Sequence, residues 1–200
     1  MVELLFTPAF NAWGSPTTWL EIAAVVIALA MVGCNIREIH WGWPLAIVSS
    51  LMYCALFWRS RLYGDAALQV FFAVVGLWGW MQWLRGMRAD GTSLRVMRLT
   101  PRQLVLAVAA CALLWPATGF FLKTFTDTDV PWWDAFPTAA SLVGQFLLGR
   151  KFIENWAVWI IVNVASVGLF AYKALWLTVA LYAVFIVLSA AGWRAWREQV

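Results

Sequence analysis

The chain has 200 residues, of which 64% are hydrophobic and 12% charged, with a formal net charge of +4. A soluble globular domain carries roughly half apolar and a quarter charged residues, so this composition excludes an ordinary soluble domain and indicates a protein integral to a membrane. The small positive charge does not point to nucleic acid, because the basic residues sit in particular loops where membrane topology accounts for them.

Residues 1–17 carry Phe6, Phe10 and Trp13 with Pro8 and Pro16, and read as an interfacial segment rather than a span. No basic start followed by an apolar run and a small-residue cleavage site is seen, so no signal peptide is expected. A span needs about 20 mostly apolar residues. The sequence predicts seven, at 18–36, 41–58, 66–84, 103–122, 136–149, 156–172 and 175–193. The fifth is short and begins near Pro137, which a tilted or locally thin arrangement would accommodate. Loop charge then sets the orientation. Segment 85–102 holds Arg85, Arg88, Arg95, Arg98 and Arg102 against Asp90, and should be cytoplasmic. Segment 123–135 holds Asp127, Asp129 and Asp134 against Lys123, and should face out. With Arg194 and Arg197 inside, the N-terminus is outside and the C-terminus cytoplasmic. Arg37, Arg150 and Lys151 then fall inside, while the 59–65 turn falls outside despite Arg59 and Arg61.

The first membrane block is written twice, and the two copies align without a gap. Trp19 falls on Trp132, a spacing of 113 residues, and at the same spacing Glu21 falls on Asp134 and Arg37 on Arg150. Trp43 falls on Trp156, Leu68 on Leu181, Phe72 on Phe185, Gly79-Trp80 on Gly192-Trp193 and Trp83 on Trp196. A duplicated helical unit in a membrane protein points to a transporter, because the interface between repeats is a natural substrate path. Each repeat holds three spans, and the extra span at 103–122 restores the same orientation to the second. The expected fold is therefore an all-α integral membrane protein of seven transmembrane helices, a 3+1+3 arrangement of parallel repeats about an axis along the membrane normal. Its parts are a first repeat at 18–86, a basic cytoplasmic loop with linker helix and outer loop at 87–130, and a second repeat with its tail at 131–200.

A transport site needs polar groups at membrane depth, where they are costly unless they face a cavity or a partner. The candidates are Asn35, Ser49, Ser50, Tyr53, Gln69, Gln145, Asn163, Ser166 and Tyr182. The repeat pairs Gln69 with Tyr182 and Ser50 with Asn163. All are neutral, which suits a hydrogen-bonding ligand of little net charge; interhelical hydrogen bonding explains such residues as well. Trp43, Tyr53, Trp78, Trp156, Trp159 and Tyr182 accompany them. A flat heteroaromatic ring stacked there would gain about 0.5–1.5 kcal/mol beyond burial, and a cationic ring a further cation–π term. Amides and aromatics together favour a vitamin- or nucleoside-like ligand. Many tryptophans, among them Trp41, Trp43, Trp80, Trp83, Trp132, Trp133, Trp193 and Trp196, fall near span ends and read as interfacial anchors.

Other chemistry is poorly supported. Cys34, Cys54 and Cys111 sit singly in apolar runs and read as packing residues. No GxxxxGK[ST] loop, HExxH or Cys/His cluster occurs, so neither ATP hydrolysis nor a metal or other cofactor is expected. No nucleophile–base or paired-carboxylate arrangement suggests an enzyme. His40 reads as an interface residue, and Asp65 as a helix cap or gate, thin support for proton coupling. The expectation is facilitated diffusion.

These residues also carry a family likeness. Trp43-Pro44-Leu45, Tyr53, the run 61–65, Leu68-Gln69, Phe71-Phe72, Gly79-Trp80 and Trp83 resemble the first half of PnuC transporters. Glu154-Asn155-Trp156-Ala157-Val158-Trp159-Ile160, Asn163, Tyr172-Lys173, Leu181-Tyr182, Phe185, Gly192 and Trp196 resemble the second. The resemblance implies a bacterial inner-membrane carrier of nicotinamide riboside with a SWEET-like fold. It also implies a homotrimer working by facilitated diffusion, with a cytoplasmic riboside kinase trapping the product. It carries over Trp43, Tyr53, Gln69, Trp156, Trp159, Asn163 and Tyr182 as functional positions; Asn35 and Gln145 come from the depth argument alone. Thiamine or riboflavin carriage stays open, since relatives resembling PnuC carry them, as does a binding subunit of an ATP-driven vitamin transporter.

Overall fold

A computed structural model describes residues 7–12, 15–59, 63–88, 91–126, 128–173 and 176–200. Phe6, Trp13, Arg61, Leu62, Asp90, Asp127 and Leu175 lie outside the described residues, as do the side chains of Phe10, Glu21, Arg59 and 63–68.

Seven helices form: α1 (Trp19–Ile36), α2 (Gly42–Arg59), α3 (Tyr63–Arg85), α4 (Pro101–Phe125), α5 (Pro131–Gly149), α6 (Asn155–Tyr172) and α7 (Trp176–Arg197). Each predicted span has its helix. Among the described residues, α4, α6 and the Thr178–Arg197 part of α7 are long and apolar enough to cross a membrane, and Ile22–Ile36 and Gly42–Ala55 are shorter apolar stretches. Two differences from the sequence reading stand out. Strands β1 (Pro8–Ala12) and β2 (Ser15–Thr18) pair as a small antiparallel sheet ahead of α1, so the chain is not wholly helical. Their prolines argue against a strand in a sheet interior but are tolerated at edges, which both strands of a hairpin are. The second difference is α5, which starts at Pro131 instead of near Pro137. Pro131 occupies the first turn, where its missing N–H costs nothing, and Asp134 there complements the helix dipole. Pro137 is carried inside the helix.

The 113-residue repeat is visible in the backbone. α2 and α6 begin and end at equivalent positions, as α1 and α5 end and α3 and α7 begin. The α1–α2 turn is stitched by Glu38 N–H to Asn35 O (3.2 Å), Ile39 N–H to Cys34 O (2.9 Å) and Gly42 N–H to Ile39 O (3.1 Å). The α5–α6 turn repeats all three as Lys151 to Leu148 (3.0 Å), Phe152 to Leu147 (2.9 Å) and Asn155 to Phe152 (3.1 Å). These are Schellman stops, which need a left-handed residue. Glu38 (φ 53°) and Lys151 (φ 58°) supply it, the two non-glycine residues of positive φ among those described.

The chain divides into two compact units, Met1–Trp80 and Met81–Val200. In the first, α1 packs on α2, and Leu20, Ala24, Trp43 and Ala73 are buried. In the second, α4 packs on α5, α5 on α6 and α6 on α7. α5 is the most enclosed of these, burying Ala135, Ala139, Ala140, Gly144 and Gly149. Small side chains let helix backbones approach closely, the usual device where lipid removes any hydrophobic drive between helices. α4 is the opposite case: only Gly119 is buried, beneath the Trp132 ring, and Trp115 Nε1 donates to Trp132 O at 2.9 Å. A capping box starts α4, with Gln103 N–H donating to Thr100 Oγ1 and Thr100 N–H to Gln103 Oε1.

The basic loop is more than a linker. Leu94 and Val96 are buried. Met97 N–H donates to Lys151 O at 3.0 Å and Met97 O accepts from Ile153 N–H at 2.9 Å. Leu99 N–H then donates to Glu154 Oε2 at 3.1 Å. At the other end of α5 and α6, Lys173 pairs with Asp129 (3.5 Å) and Asp134 (3.7 Å), and Thr128 Oγ1 donates to Asp134.

Candidate functional site

In the first unit, four of the expected site residues lie on three helices. Trp43, in the first turn of α2, is buried, and its ring lies where a Cβ on Gly79 of α3 would be. Ile47 stands 2.9 Å from the equivalent position at Gly76. Asn35, near the end of α1, is buried; its amide fills the space above Gly42, and its Oδ1 finds no hydrogen-bond partner among the described residues. Tyr53 on α2 and Gln69 on α3 are half-buried, and the Gln69 amide makes no hydrogen bond among the described residues.

In the second unit, Trp156 repeats the behaviour of Trp43. It is buried, its ring occupies the space over Gly192 of α7, and it meets Trp196 edge-on at 5.5 Å. One helix turn on, Trp159 is half-buried and lies 3.3 Å from the position a Cβ would take on Gly144 of α5. Asn163 is buried on the same helix, and its Nδ2 donates to Ser189 Oγ of α7 at 3.3 Å. Tyr182 is half-buried between Phe170 (5.0 Å) and Phe185 (5.8 Å). Gln145 on α5 keeps a buried Oε1 with no partner among the described residues, as does Trp156 Nε1.

α6 and α7 thus pair Asn163 with Ser189 and Trp156 with Trp196, while α5 sets Gly144 against Trp159. Ser189 and Asn155 are the polar residues that sequence reasoning missed. Ser189 falls opposite Gly76 in the repeat, so no pairing of polar residues marks it. Asn155 is fully buried at the start of α6, donating Nδ2 to Phe152 O at 2.6 Å; an asparagine at a helix start reads as a cap. The reading of span-end tryptophans as interfacial anchors also needs correction. Trp41, Trp132 and Trp133 are exposed, but Trp43 and Trp196 are among the most buried side chains. Trp83 is held by its Nε1 donating to Leu148 O at 3.1 Å and by Lys151 over its ring at 4.9 Å.

Chemically this is a set of neutral amides and hydroxyls backed by indole rings. Groups of this kind hydrogen-bond to and stack on planar polar molecules. Residues 18–198 match the family described as nicotinamide mononucleotide transporter. The chain is similar to the nicotinamide riboside transporter PnuC of Escherichia coli, at 23% identity over 93% of this chain and 88% of that one. It is also similar to the riboflavin/roseoflavin transporter RibM of Streptomyces davaonensis, at 27% identity over 96% of this chain and 91% of that one. Among solved structures its fold resembles the crystal structure of the vitamin B3 transporter PnuC, with a TM-score of 0.73, 23% identity, and 90% of this chain and 81% of that chain covered.

Proposed function

This chain belongs to the nicotinamide mononucleotide transporter family, a family of membrane transporters and not enzymes, and we propose that the species it carries is nicotinamide riboside. One observation carries this choice over the mononucleotide. Every polar side chain buried among the described residues is neutral: Asn35, Ser49, Asn155, Asn163, Ser166 and Ser189. A phosphate at membrane depth would need a compensating Arg or Lys, since an unpaired charge there costs several kcal/mol or more. A riboside asks only for amides and hydroxyls around its carboxamide and sugar, with aromatic faces against its cationic ring. Gln69, Tyr53, Trp43 and Asn35 of the first unit, and Asn163, Trp156, Trp159, Tyr182 and Gln145 of the second, are the side chains we assign to the ligand, each testable alone.

The rest of the reading follows from the same premise. The repeated turns and the repeated Trp-on-Gly contacts support a 3+1+3, SWEET-like arrangement of parallel repeats. Facilitated diffusion by alternating access fits a set of buried groups without titrating acids, because coupling to protons normally shows buried acid or His chains. Inward flux would then be sustained by phosphorylation of the product by a cytoplasmic riboside kinase. A bacterial inner-membrane homotrimer with the N-terminus outside and the C-terminus cytoplasmic completes the proposal.

A second reading, riboflavin, is favoured by the likeness to RibM, since riboflavin too is phosphate-free and aromatic. Uptake by the purified chain in liposomes separates them. Labelled nicotinamide riboside should enter without ATP, unlabelled riboside should compete, and the mononucleotide should not. Competition by riboflavin or thiamine alone would replace the substrate. Binding without transport would point to the subunit of an ATP-driven system.

A further inference from the structure

We propose that the groove between α4 and α5 is a binding site for one anionic phospholipid. The groove encloses about 540 Å³, within the ~300–1,000 Å³ typical of ligand sites. Its walls are apolar along their length, with Leu106, Ala110 and Leu114 on α4 facing Val143 and Phe146 on α5. Its polar wall residues, Gln103 and Arg150, come from the first turn of α4 and the cap position after α5. These two helix ends lie at the same end of an antiparallel pair. An apolar slot with a cation at one end is the shape of a lipid: acyl chain along the slot, phosphate at the guanidinium.

The charge at that end is not neutralised by an ion pair among the described residues. Arg150 Nη1 donates to the neutral Gln82 Oε1 at 3.0 Å, and no carboxylate pairs with Arg150 among the described residues. Gln103 spends its Oε1 on Thr100, which leaves its NH₂ as a donor without a partner among the described residues. The α4 N-terminus adds the positive end of a helix dipole, and Arg98 and Arg102 flank it, both exposed. Basic pockets between membrane helices select anionic headgroups over zwitterionic ones through such charges. The apolar surroundings argue for a lipid over a soluble anion. α4 presents Val105 at 67% and Leu113 at 73% exposure, a surface suited to hydrocarbon.

The test is native mass spectrometry of the purified chain in detergent, mixed with equal phosphatidylglycerol and phosphatidylcholine. A single phosphatidylglycerol adduct, preferred about tenfold, is expected. Arg150→Gln can still reach Gln82 and should bring that preference to parity. Ala110→Phe fills the slot, leaves Arg150 in place, and should lose adducts of both lipids. Equal retention of the two lipids by the unaltered chain, or an undiminished preference in Arg150→Gln, overturns the proposal. So does efficient cross-linking between two copies through cysteines placed at Leu106 and Phe146, which would make the groove a contact between copies.

Discussion

Set side by side, the α1–α3 and α5–α7 halves share a scaffold and differ in chemistry. Both stop their first helix with the same hydrogen bonds around a left-handed residue. Both seat the first tryptophan of the next helix, Trp43 or Trp156, on a glycine of the third, Gly79 or Gly192. The polar groups do not follow. At the first turn, the amide is Asn35 on α1, packed over Gly42; in the other half Asn155 stands at the Gly42 position and Leu148 at the Asn35 position. Ser50 is half-buried, whereas Asn163 is buried and bonded to Ser189, whose counterpart is Gly76. Backbone stops and ring-on-glycine contacts are demands of the fold and recur. Hydrogen-bonding groups do not recur, which the proposed assignment to a ligand with two different ends would allow.

Substitutions made in pairs can break or sharpen that comparison. The largest effects belong to Trp43→Ala and Trp156→Ala, each expected to cost about 3–5 kcal/mol from the volume of a buried indole. Thermal unfolding in detergent should give similar losses, and a large loss in one half alone would mean the two contacts are not equivalent. Next come Gly79→Ala and Gly192→Ala, where the added methyl meets the indole; overpacking of this kind costs about 1–3 kcal/mol. A neutral result at either position would show that ring and helix can part without cost.

Smaller, and aimed at chemistry instead of scaffold, are Asn163→Ala and Gln69→Ala. Each should weaken nicotinamide riboside binding at least tenfold, or about 1.4 kcal/mol, while Ser50→Ala, opposite Asn163 in the repeat, should change it little. Calorimetry on folded protein decides, and unchanged affinity in both amide variants would sink the site assignment. The smallest effects belong to the turns. Glu38→Gly and Lys151→Gly trade relief of left-handed strain against chain entropy, each worth about 1 kcal/mol, so both should lie near the parent in stability. Lys151→Gly also gives up the cation–π contact with Trp83, worth about 0.5–1 kcal/mol at a partly exposed site.

Much of this was legible from residues alone, and what was not has physical reasons. Seven helices announce themselves because the bilayer demands long apolar runs, and the repeat because Trp, Gly and charge rarely align by accident. The start of α5 was misplaced because Pro137 reads as a breaker, although a proline can ride inside a helix whose neighbours close around it. The hairpin before α1 was missed because its short strands carry prolines. Trp43 and Trp196 read as interfacial anchors because position along a span gives depth but not direction, and these two point inward. Ser189, opposite Gly76, has no polar counterpart to mark it, while Asn163, opposite Ser50, has one and is bonded across to α7.

The two self-closing turns join α1 to α2 and α5 to α6. At each of them the last carbonyls of one helix accept N–H groups from the residues that follow, and the second turn also takes Met97 N–H on Lys151 O and Trp83 Nε1–H on Leu148 O. The helices on either side of each turn also pack on one another, so each pair is a hairpin whose backbone stop is closed by its own residues.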